Sequence, residues 1–299
     1  MPSETRATTF NNAVLFIIPA LIWGSTWLAI RFQLGAVDPM VSVAYRFLIA
    51  TVLMFLLCRA RGTNLRLGIR DHLFIALQGL FLFGVNYWLV YKAEEVLPSG
   101  LVAVVFSGIL FANVLNGRIF IGAPVRRQVV IGGLFGFAGI GFIFMRELAA
   151  FSLSNRSLQA LAMALVSVYI ASLGNILSAR NQKAGLTVLQ TNTLGMLYGG
   201  IAMLAVCVVA GKPLAFDSSL SYIGSLVYLS AFGSVVAFYC FLTLVGRIGA
   251  DKAANVAMLM PVIALILTTI FEGYRWTAPA AFGAVLVMIG NYLALRTQR

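Results

Sequence analysis

Apolar residues lie along this chain in long blocks, and polar residues are concentrated in the short segments between them. The blocks lack the strict alternation of a β-strand, and only helices or closed barrels satisfy backbone hydrogen bonds in lipid. Most blocks hold about 20 residues, enough at about 1.5 Å per residue to cross a bilayer core of about 30 Å. We predict ten membrane-spanning helices, at residues 13–30, 40–58, 72–91, 98–116, 124–145, 158–180, 187–210, 219–245, 250–271 and 276–295.

The fourth and fifth blocks recur faintly as the ninth and tenth, 151 positions later. Because the two copies are offset by five predicted helices, an odd number, the second copy must enter the membrane in the opposite orientation. The sequence therefore predicts an all-α polytopic membrane protein with two inverted five-helix repeats around a central cavity. The aligned pairs include Ile119 with Ile270, Phe120 with Phe271, Gly122 with Gly273, Gly132 with Gly283 and Gly139 with Gly290.

The repeats and the short polar segments divide the whole chain. We place the first repeat at 13–145 and the second at 158–295, joined by a loop at 146–157. Cytoplasmic tails at 1–12 and 296–299 complete the predicted organisation. The loops are too short to contain a catalytic domain outside the membrane.

Composition excludes an ordinary soluble domain, because 61% of the residues are hydrophobic and only 10% are charged, against about 25% charged in soluble proteins. The net charge is +12, and its distribution along the chain is uneven. Of the 21 Lys and Arg residues, fourteen fall on the side that both termini share and six on the other side. The positive-inside rule then predicts cytoplasmic termini. We read the basic excess as a topology signal and expect no nucleic-acid partner.

Few residues are available for other chemistry. Cys58, Cys207 and Cys240 show no paired spacing, so we expect neither disulfides nor a metal site. The single histidine, His72, and the absence of mid-membrane aspartates leave no constellation for an intramembrane enzyme. We expect no cofactor, and no repeated carbonyl filter or charged ring indicates a channel.

Several short motifs are similar to those of EamA-type transporters, which belong to the drug/metabolite transporter superfamily. The run Trp23–Thr26 resembles their W-G-S-T/N motif, and Arg46–Ala50 resembles their R-F-L-I-A run. The chain departs from the family pattern at Ile121, where a Glu is frequent, and at Leu110, which corresponds to Pro261 of the second half. The resemblance implies ten helices around a cavity and transport of small metabolites, frequently export. Within it, we favour the amino-acid exporter branch.

Arg46 is the only charged residue that we place inside a predicted span and away from its ends. A charge at mid-membrane costs about 2.5–3.5 kcal/mol even on modest insertion scales, so it is a functional candidate. One interpretation is structural: the guanidinium bonds helix-end carbonyls and closes the outer side of the bundle. In the other interpretation it attracts the carboxylate of a substrate.

Aromatic and amide side chains supply further candidates for a substrate pocket. Asn86 and Tyr87 lie in the third predicted span, opposite Tyr239 of the eighth. Aromatic faces with polar tips suit an amphipathic or aromatic solute. The alternative is that such rings belong to the aromatic belts at the membrane–water interfaces.

Polar residues of the first, sixth and seventh spans complete the candidate set. Asn175 corresponds to Ser25 at a lag of 150, which places a polar side chain at a similar depth in both halves. Hydrogen bonds between helices, worth about 0.6 kcal/mol each, are the alternative explanation. The complete set of candidate substrate-binding residues is Trp23, Ser25, Arg46, Asn86, Tyr87, Tyr169, Asn175, Asn192 and Tyr239.

All nine carboxylates fall in tails, loops or the ends of spans, so the sequence predicts no mid-membrane proton relay. We expect a monomeric inner-membrane exporter of small metabolites, most of all amino acids, that works by alternating access as a uniporter. Its partners are the small-molecule substrate and the lipid bilayer. Two alternatives stay open: a proton-coupled drug/metabolite antiporter, and a membrane scaffold protein that transports nothing.

Overall fold

The computed structural model describes the chain except for residues 1, 36, 98–101, 103–104, 144, 146–148, 150–154, 273–275 and 296–299. Most of the predicted loop 146–157 and all of the predicted tail 296–299 thus lie outside the described residues, as does Gly273. The described regular elements are helical. They are α1 (Pro2–Arg31), α2 (Pro39–Ala60), α3 (Ile69–Glu94), α4 (Ile109–Ile121), α5 (Arg127–Ile143), α6 (Asn155–Lys183), α7 (Val188–Val209), α8 (Leu220–Ile248), α9 (Val256–Glu272) and α10 (Ala278–Leu295), with a single turn at Ala250–Ala253 before α9.

Six helices of the described part are long and apolar enough to cross a membrane: α1, α2, α3, α6, α7 and α8. Helices α4, α5 and α10 are apolar but shorter. The chain is thus an all-helical polytopic membrane protein, and the count of ten spans stays a prediction. Helix α1 begins at Pro2 rather than at residue 13. Proline is tolerated at a helix start, and neither glycine nor a second proline interrupts the following residues before Pro19.

The helix contacts of the first half recur in the second half, when each helix is compared with the helix five further along the chain. Helix α1 packs against α8 and α9, and correspondingly α6 packs against α3 and α4. Helix α2 contacts α7 and α8, whereas α7 contacts α2 and α3. Helices α5 and α10 form the most extensive pair. The same contacts are therefore made twice, once by each half of the chain.

The equivalent helices α2 and α7 run in opposite directions. Leu48 lies against Gly200, whereas Cys58, ten residues further along α2, contacts Thr193, seven residues back along α7. An antiparallel arrangement of equivalent helices is the relation expected between inverted repeats.

Helices α5 and α10 are also antiparallel, and glycine permits their close approach. Gly132 lies against Gly290, and Gly139 lies against Gly283. A Cβ atom at any of these four positions would overlap the backbone of the opposite helix. Small residues are the usual means by which membrane helices approach this closely, because association relies on van der Waals contact rather than on the hydrophobic effect.

Each half also contains one stretch of π-helix, Leu80–Val85 in α3 and Leu229–Val236 in α8. The N–H of Asn86 donates to the carbonyl of Phe81, and the N–H of Ala237 donates to that of Phe232. Both hydrogen bonds span five residues, and the two donors are 151 positions apart. Such bulges rotate the side chains that follow them and are frequent at functional sites.

We expect Gly139→Ala to destabilise the protein by about 1–3 kcal/mol, because the added methyl group overpacks the α5–α10 contact. Gly141→Ala on the same helix is the matched control, since a Cβ there has no neighbour within 4 Å. The thermal unfolding midpoints of the two purified variants in detergent are the measurement. Equal midpoints would show that the close contact contributes nothing to stability.

Candidate functional site

A cavity of about 60 Å³ lies between the two repeats. Its walls come from α1, α3 and α6, from α8, and from the starts of α4 and α9 with the residues just before them. Many of the lining residues form pairs that are 151 positions apart: Tyr87 with Phe238, Val90 with Phe241, Phe106 with Ala257, and Ile109 with Met260. The cavity therefore lies on the approximate two-fold axis that relates the halves of the bundle.

Aromatic rings form one wall of the cavity, and a hydrogen bond holds the largest of them. The Trp23 indole N–H donates to the carbonyl of Gly233, in the π-helical stretch of α8, over 2.9 Å. The Trp23 ring meets Phe238 and Phe241 edge-on, with centroids 4.9 and 5.1 Å apart. Tyr87 lies 6.1 Å from Phe238 in the same arrangement. The wall can therefore stack against a ring or an aliphatic chain of a solute.

Three residues of the lining carry buried polar atoms that have no hydrogen-bond partner in the described part of the chain. They are Nε1 of Trp27, Oδ1 of Asn86 and Oδ1 of Asn175. The amide nitrogens of the two asparagines do have acceptors, the Leu82 carbonyl at 3.4 Å and Asn113 Oδ1 at 3.5 Å. A buried polar atom left without a partner costs about 1–3 kcal/mol. One donor and two acceptors are thus available to a polar solute.

Arg46 lies behind this wall rather than in it. Its side chain is fully buried, and Nε donates to Ser234 Oγ over 2.9 Å. The guanidinium carbon is 4.4 Å from the centroid of the Tyr87 ring, which does line the cavity. Nη1 and Nη2 lie near the hydroxyls of Tyr87 and Tyr91 but form no well-aligned hydrogen bond among the described residues.

The structure brings Trp23, Asn86, Tyr87 and Asn175 together at the cavity, with Arg46 in contact with Tyr87. The other four candidates lie elsewhere. Ser25 hydrogen-bonds the Ile22 carbonyl and Tyr228 Oη, and Tyr239 Oη accepts from Arg61 at 3.4 Å. Asn192 is fully buried outside the cavity lining, and Tyr169 is 46% exposed.

Helix rotation explains two of these placements. At 100° per residue, Tyr169 lies about 240° around the helix from Asn175, six residues later. A lag of 150 residues aligns Asn175 with Ser25. The paired residues of the cavity are 151 positions apart, however, and that lag aligns Asn175 with Gly24. A difference of one residue rotates a side chain away from the cavity.

Trp27, Phe238 and Phe241 line the cavity but were not among the candidate residues. The lag of 151 could have identified Phe238 and Phe241, because it aligns them with Tyr87 and Val90 of the first half. Trp27 lies four residues after Trp23 and therefore on the same face of α1.

A second, wider cavity of about 650 Å³ lies at the end of the bundle where α4, α6 and α8 finish. Its lining includes Arg126, Lys183 and Arg247, together with Asp251, which is 3.4 Å from Arg126. We call it the vestibule. Asn113 belongs to its lining and accepts the hydrogen bond from Asn175 of the central cavity. The asparagine pair thus lies between the two cavities.

The opposite end of the bundle, where α2 begins and α7 ends, holds an ion pair between the repeats. Lys212 Nζ is 2.6 Å from Asp38 Oδ2. Partial burial opposes ionisation of Asp38, but the hydrogen bonds from Lys212 and from the Met40 N–H, together with the positive charges of Lys212 and Lys92, outweigh it, so the pKa of Asp38 is lowered. This pair joins the start of α2 to the α7–α8 connection.

Comparison with known proteins shows which protein family has a similar sequence. The model of the EamA-like transporter family matches residues 11–145 and, a second time, residues 158–296. A protein of Escherichia coli (strain K12) named "Uncharacterized inner membrane transporter YedA" is 30% identical over 282 residues, which cover 91% of this chain and 89% of that protein. "Protein PagO" of Salmonella typhimurium (strain LT2) is 23% identical over 283 residues, which cover 95% of this chain and 92% of that protein.

A solved structure described as "Crystal structure of protein" matches with a TM-score of 0.78 and 20% sequence identity. The match covers 95% of this chain and 96% of that one. At this identity the likeness shows the fold alone. The two family matches divide the chain into the same halves whose helix contacts are repeated.

We expect Asp38→Asn to remove part of the acid sensitivity of the folded state. Because the folded-state pKa is lowered, the ion pair contributes fully above the unfolded value of about 3.9 and is lost as the pH falls through the folded-state value. Unfolding midpoints in detergent between about pH 3 and 6 measure this loss. Glu95→Gln, which removes a partly exposed ion pair with Lys92 near the same end but leaves the pair of Asp38 with Lys212 intact, should keep most of the wild-type pH dependence. An unchanged slope in Asp38→Asn would contradict the prediction.

Proposed function

Since the chain belongs to the EamA-like transporter family, we propose that it exports small metabolites across the bacterial inner membrane. Amino acids, including aromatic ones, are the proposed solutes. The observation that carries this proposal is the cavity between the repeats, where unpartnered polar atoms of Trp27, Asn86 and Asn175 lie among aromatic rings. An amphipathic solute with a ring and a few polar groups would complement such a lining.

The proposed topology has ten membrane spans in two inverted repeats, with both termini in the cytoplasm. The antiparallel pairs α2–α7 and α5–α10 support the inversion. The vestibule lies at an end rich in arginine and lysine, which the positive-inside rule assigns to the cytoplasm. On this assignment a solute enters from the cytoplasm, as export requires.

We propose alternating access as the mechanism. The central cavity, at about 60 Å³, holds only a few water molecules, since about 10–15 Å³ of such space accommodates one. A metabolite must therefore separate the walls as it enters from the vestibule. The ion pair of Asp38 with Lys212 closes the opposite end between the repeats, and rocking of one repeat against the other would open it.

The proposed direct contacts of the solute are Trp23, Asn86, Tyr87 and Asn175. The described lining of the central cavity contains no carboxylate and no imidazole. This composition favours a uniporter that is driven by the gradient of the solute itself.

Proton-coupled antiport is the second candidate, and one observation favours it. Glu94 is only 8% exposed and lies at the end of α3, the helix that supplies Asn86 and Tyr87. A carboxylate in such an environment is the kind of group that proton-coupled transporters protonate and release.

Transport of solute without protons is the expected result in sealed proteoliposomes that contain a trapped pH indicator. A pH change that scales with solute flux, and that Glu94→Gln abolishes, would replace the uniport proposal by the antiport one. Glu95→Gln, one residue further and partly exposed in its ion pair, is the matched control.

We expect Asn86→Ala and Asn175→Ala each to raise the half-saturating concentration of a transported amino acid by about tenfold, because each removes a buried hydrogen-bond acceptor worth about 1–3 kcal/mol. Tyr169→Phe, on the exposed surface of α6, should leave transport unchanged. Counterflow of labelled amino acids into proteoliposomes is the measurement.

Two outcomes would contradict the proposal in different ways. Wild-type protein that exchanges no amino acid or related metabolite in counterflow would favour the scaffold alternative. Transport that is equally fast in the wild type and in both asparagine variants would place the solute outside the central cavity.

A further inference from the structure

We propose that Arg46 binds the carboxylate of the exported solute, and that the ring of Tyr87 covers this arginine until the solute arrives. The inference rests on the proposed function and deepens it, because it identifies the carboxylate as the group of the solute that the protein recognises. It also assigns two residues to one subsite. Arg46 is the anion receptor, and Tyr87 is its movable cover.

The hydrogen bonding of Arg46 leaves one side of its guanidinium group available. Nε is occupied by Ser234 Oγ at 2.9 Å, whereas Nη1 and Nη2, which lie near the hydroxyls of Tyr87 and Tyr91, form no well-aligned hydrogen bond among the described residues. These two nitrogens form the end of the guanidinium fork, which matches the two oxygens of a carboxylate. A buried charge is costly unless it is paired and hydrogen-bonded. A carboxylate would supply both the counter-charge and the two missing acceptors.

Two contacts connect this guanidinium with the wall of the central cavity. The Tyr87 ring lies over it at 4.4 Å and forms part of the lining. A Cβ atom on Gly233 would come within 3.2 Å of Nη2, and the carbonyl of the same glycine accepts the Trp23 hydrogen bond. Arg46 therefore contacts the Tyr87 ring of the cavity wall and lies close to the Gly233 backbone, to which Trp23 of the same wall is hydrogen-bonded. Rotation of the Tyr87 side chain would expose the guanidinium to a solute.

The charges of the vestibule provide independent support. Its described lining holds three basic residues, Arg126, Lys183 and Arg247, and one acid, Asp251, which is already close to Arg126. A funnel of one sign raises the local concentration of oppositely charged solutes. The vestibule therefore favours anionic groups, as does the buried arginine behind the wall of the central cavity.

A cation–π contact explains why Tyr87 is suited to be the cover. In the absence of solute its ring stabilises the buried guanidinium by cation–π attraction. A carboxylate interacts more strongly with the same group, through two charge-assisted hydrogen bonds. The solute can thus displace the ring, and the displaced ring stays within reach of the aromatic wall formed by Phe238 and Trp23.

The first experiment measures whether Tyr87 covers Arg46 and needs no transport. The full chain in lipid nanodiscs is treated with phenylglyoxal, and mass spectrometry quantifies modification of the peptide that contains Arg46. Tyr87→Ala should label about tenfold faster than wild type, because labelling scales with the fraction of molecules in which the guanidinium is open. Tyr87→Phe keeps the ring and should label like wild type. Equal rates in Tyr87→Ala and Tyr87→Phe would refute the cover.

The second experiment tests the carboxylate with a pair of probes, L-phenylalanine and its primary amide, in proteoliposomes. Wild-type protein should favour the acid. Arg46→Gln should reduce flux of the acid about tenfold or more while the amide keeps its flux, since a charged hydrogen bond contributes at least that factor. Arg46→Lys keeps the charge but loses the two-pronged guanidinium group, so its flux of the acid should lie between those of the wild type and Arg46→Gln.

Arg61→Gln is the matched control, because Arg61 also lies over a tyrosine ring, that of Tyr239 at 5.9 Å, but outside the cavity lining. Its preference for the acid should equal that of the wild type.

Unchanged amide flux in Arg46→Gln shows that this variant is folded. If Arg46→Gln discriminates acid from amide as the wild type does, the carboxylate site is wrong although transport stands. If the wild type carries no solute of the panel, the proposed function fails, and the labelling result still decides whether Tyr87 covers Arg46.

Discussion

The absence of water around most of the bundle is the constraint on which the rest of the structure depends. Lipid offers no hydrogen bonds, so the polar groups inside must find partners within the protein. Many do: Asn113 donates to the carbonyl of Ala250, Thr193 donates to the carbonyl of Leu189, and the hydroxyls of Ser42 and Tyr222 share a hydrogen bond. The described exceptions are therefore informative. Three of them, on Trp27, Asn86 and Asn175, line one cavity between the repeats, and the guanidinium of Arg46 contacts Tyr87 of its wall.

Two-fold symmetry builds this cavity, and departures from symmetry give it chemical character. The same helix contacts occur in both halves, and both halves loosen into a π-helical stretch at equivalent positions. After those stretches the first half has Asn86 and Tyr87, whereas the second has Ala237 and Phe238. One side of the axis is thus polar and the other apolar. An amphipathic solute would have a preferred orientation in such a site.

Much of the fold and part of the site followed from the sequence. The apolar blocks predicted helices at nearly the observed positions, and the lag of 151 led to the glycine contacts between α5 and α10. The same lag pairs residues of the cavity lining. Tyr169 and Tyr239 show the limit of such reasoning, because both lie in the expected helices but face elsewhere. In these helices apolar residues occur on every face, so hydropathy gives little indication of which face points inward.

Block length, charge bias and an internal lag are properties of the chain itself. By themselves they determined that this protein is helical, polytopic and duplicated, because crossing a bilayer imposes length and hydropathy on each segment. Only the tertiary structure decided which side chains meet. A shift of one residue turns a side chain by about 100° around its helix, so Ser25 contacts Tyr228 instead of the cavity. Likewise, the burial of Arg46 against Tyr87 depends on the packing of α2 against α3 and α8. Residue spacing along one segment does not determine such a contact, because the two residues lie on different helices.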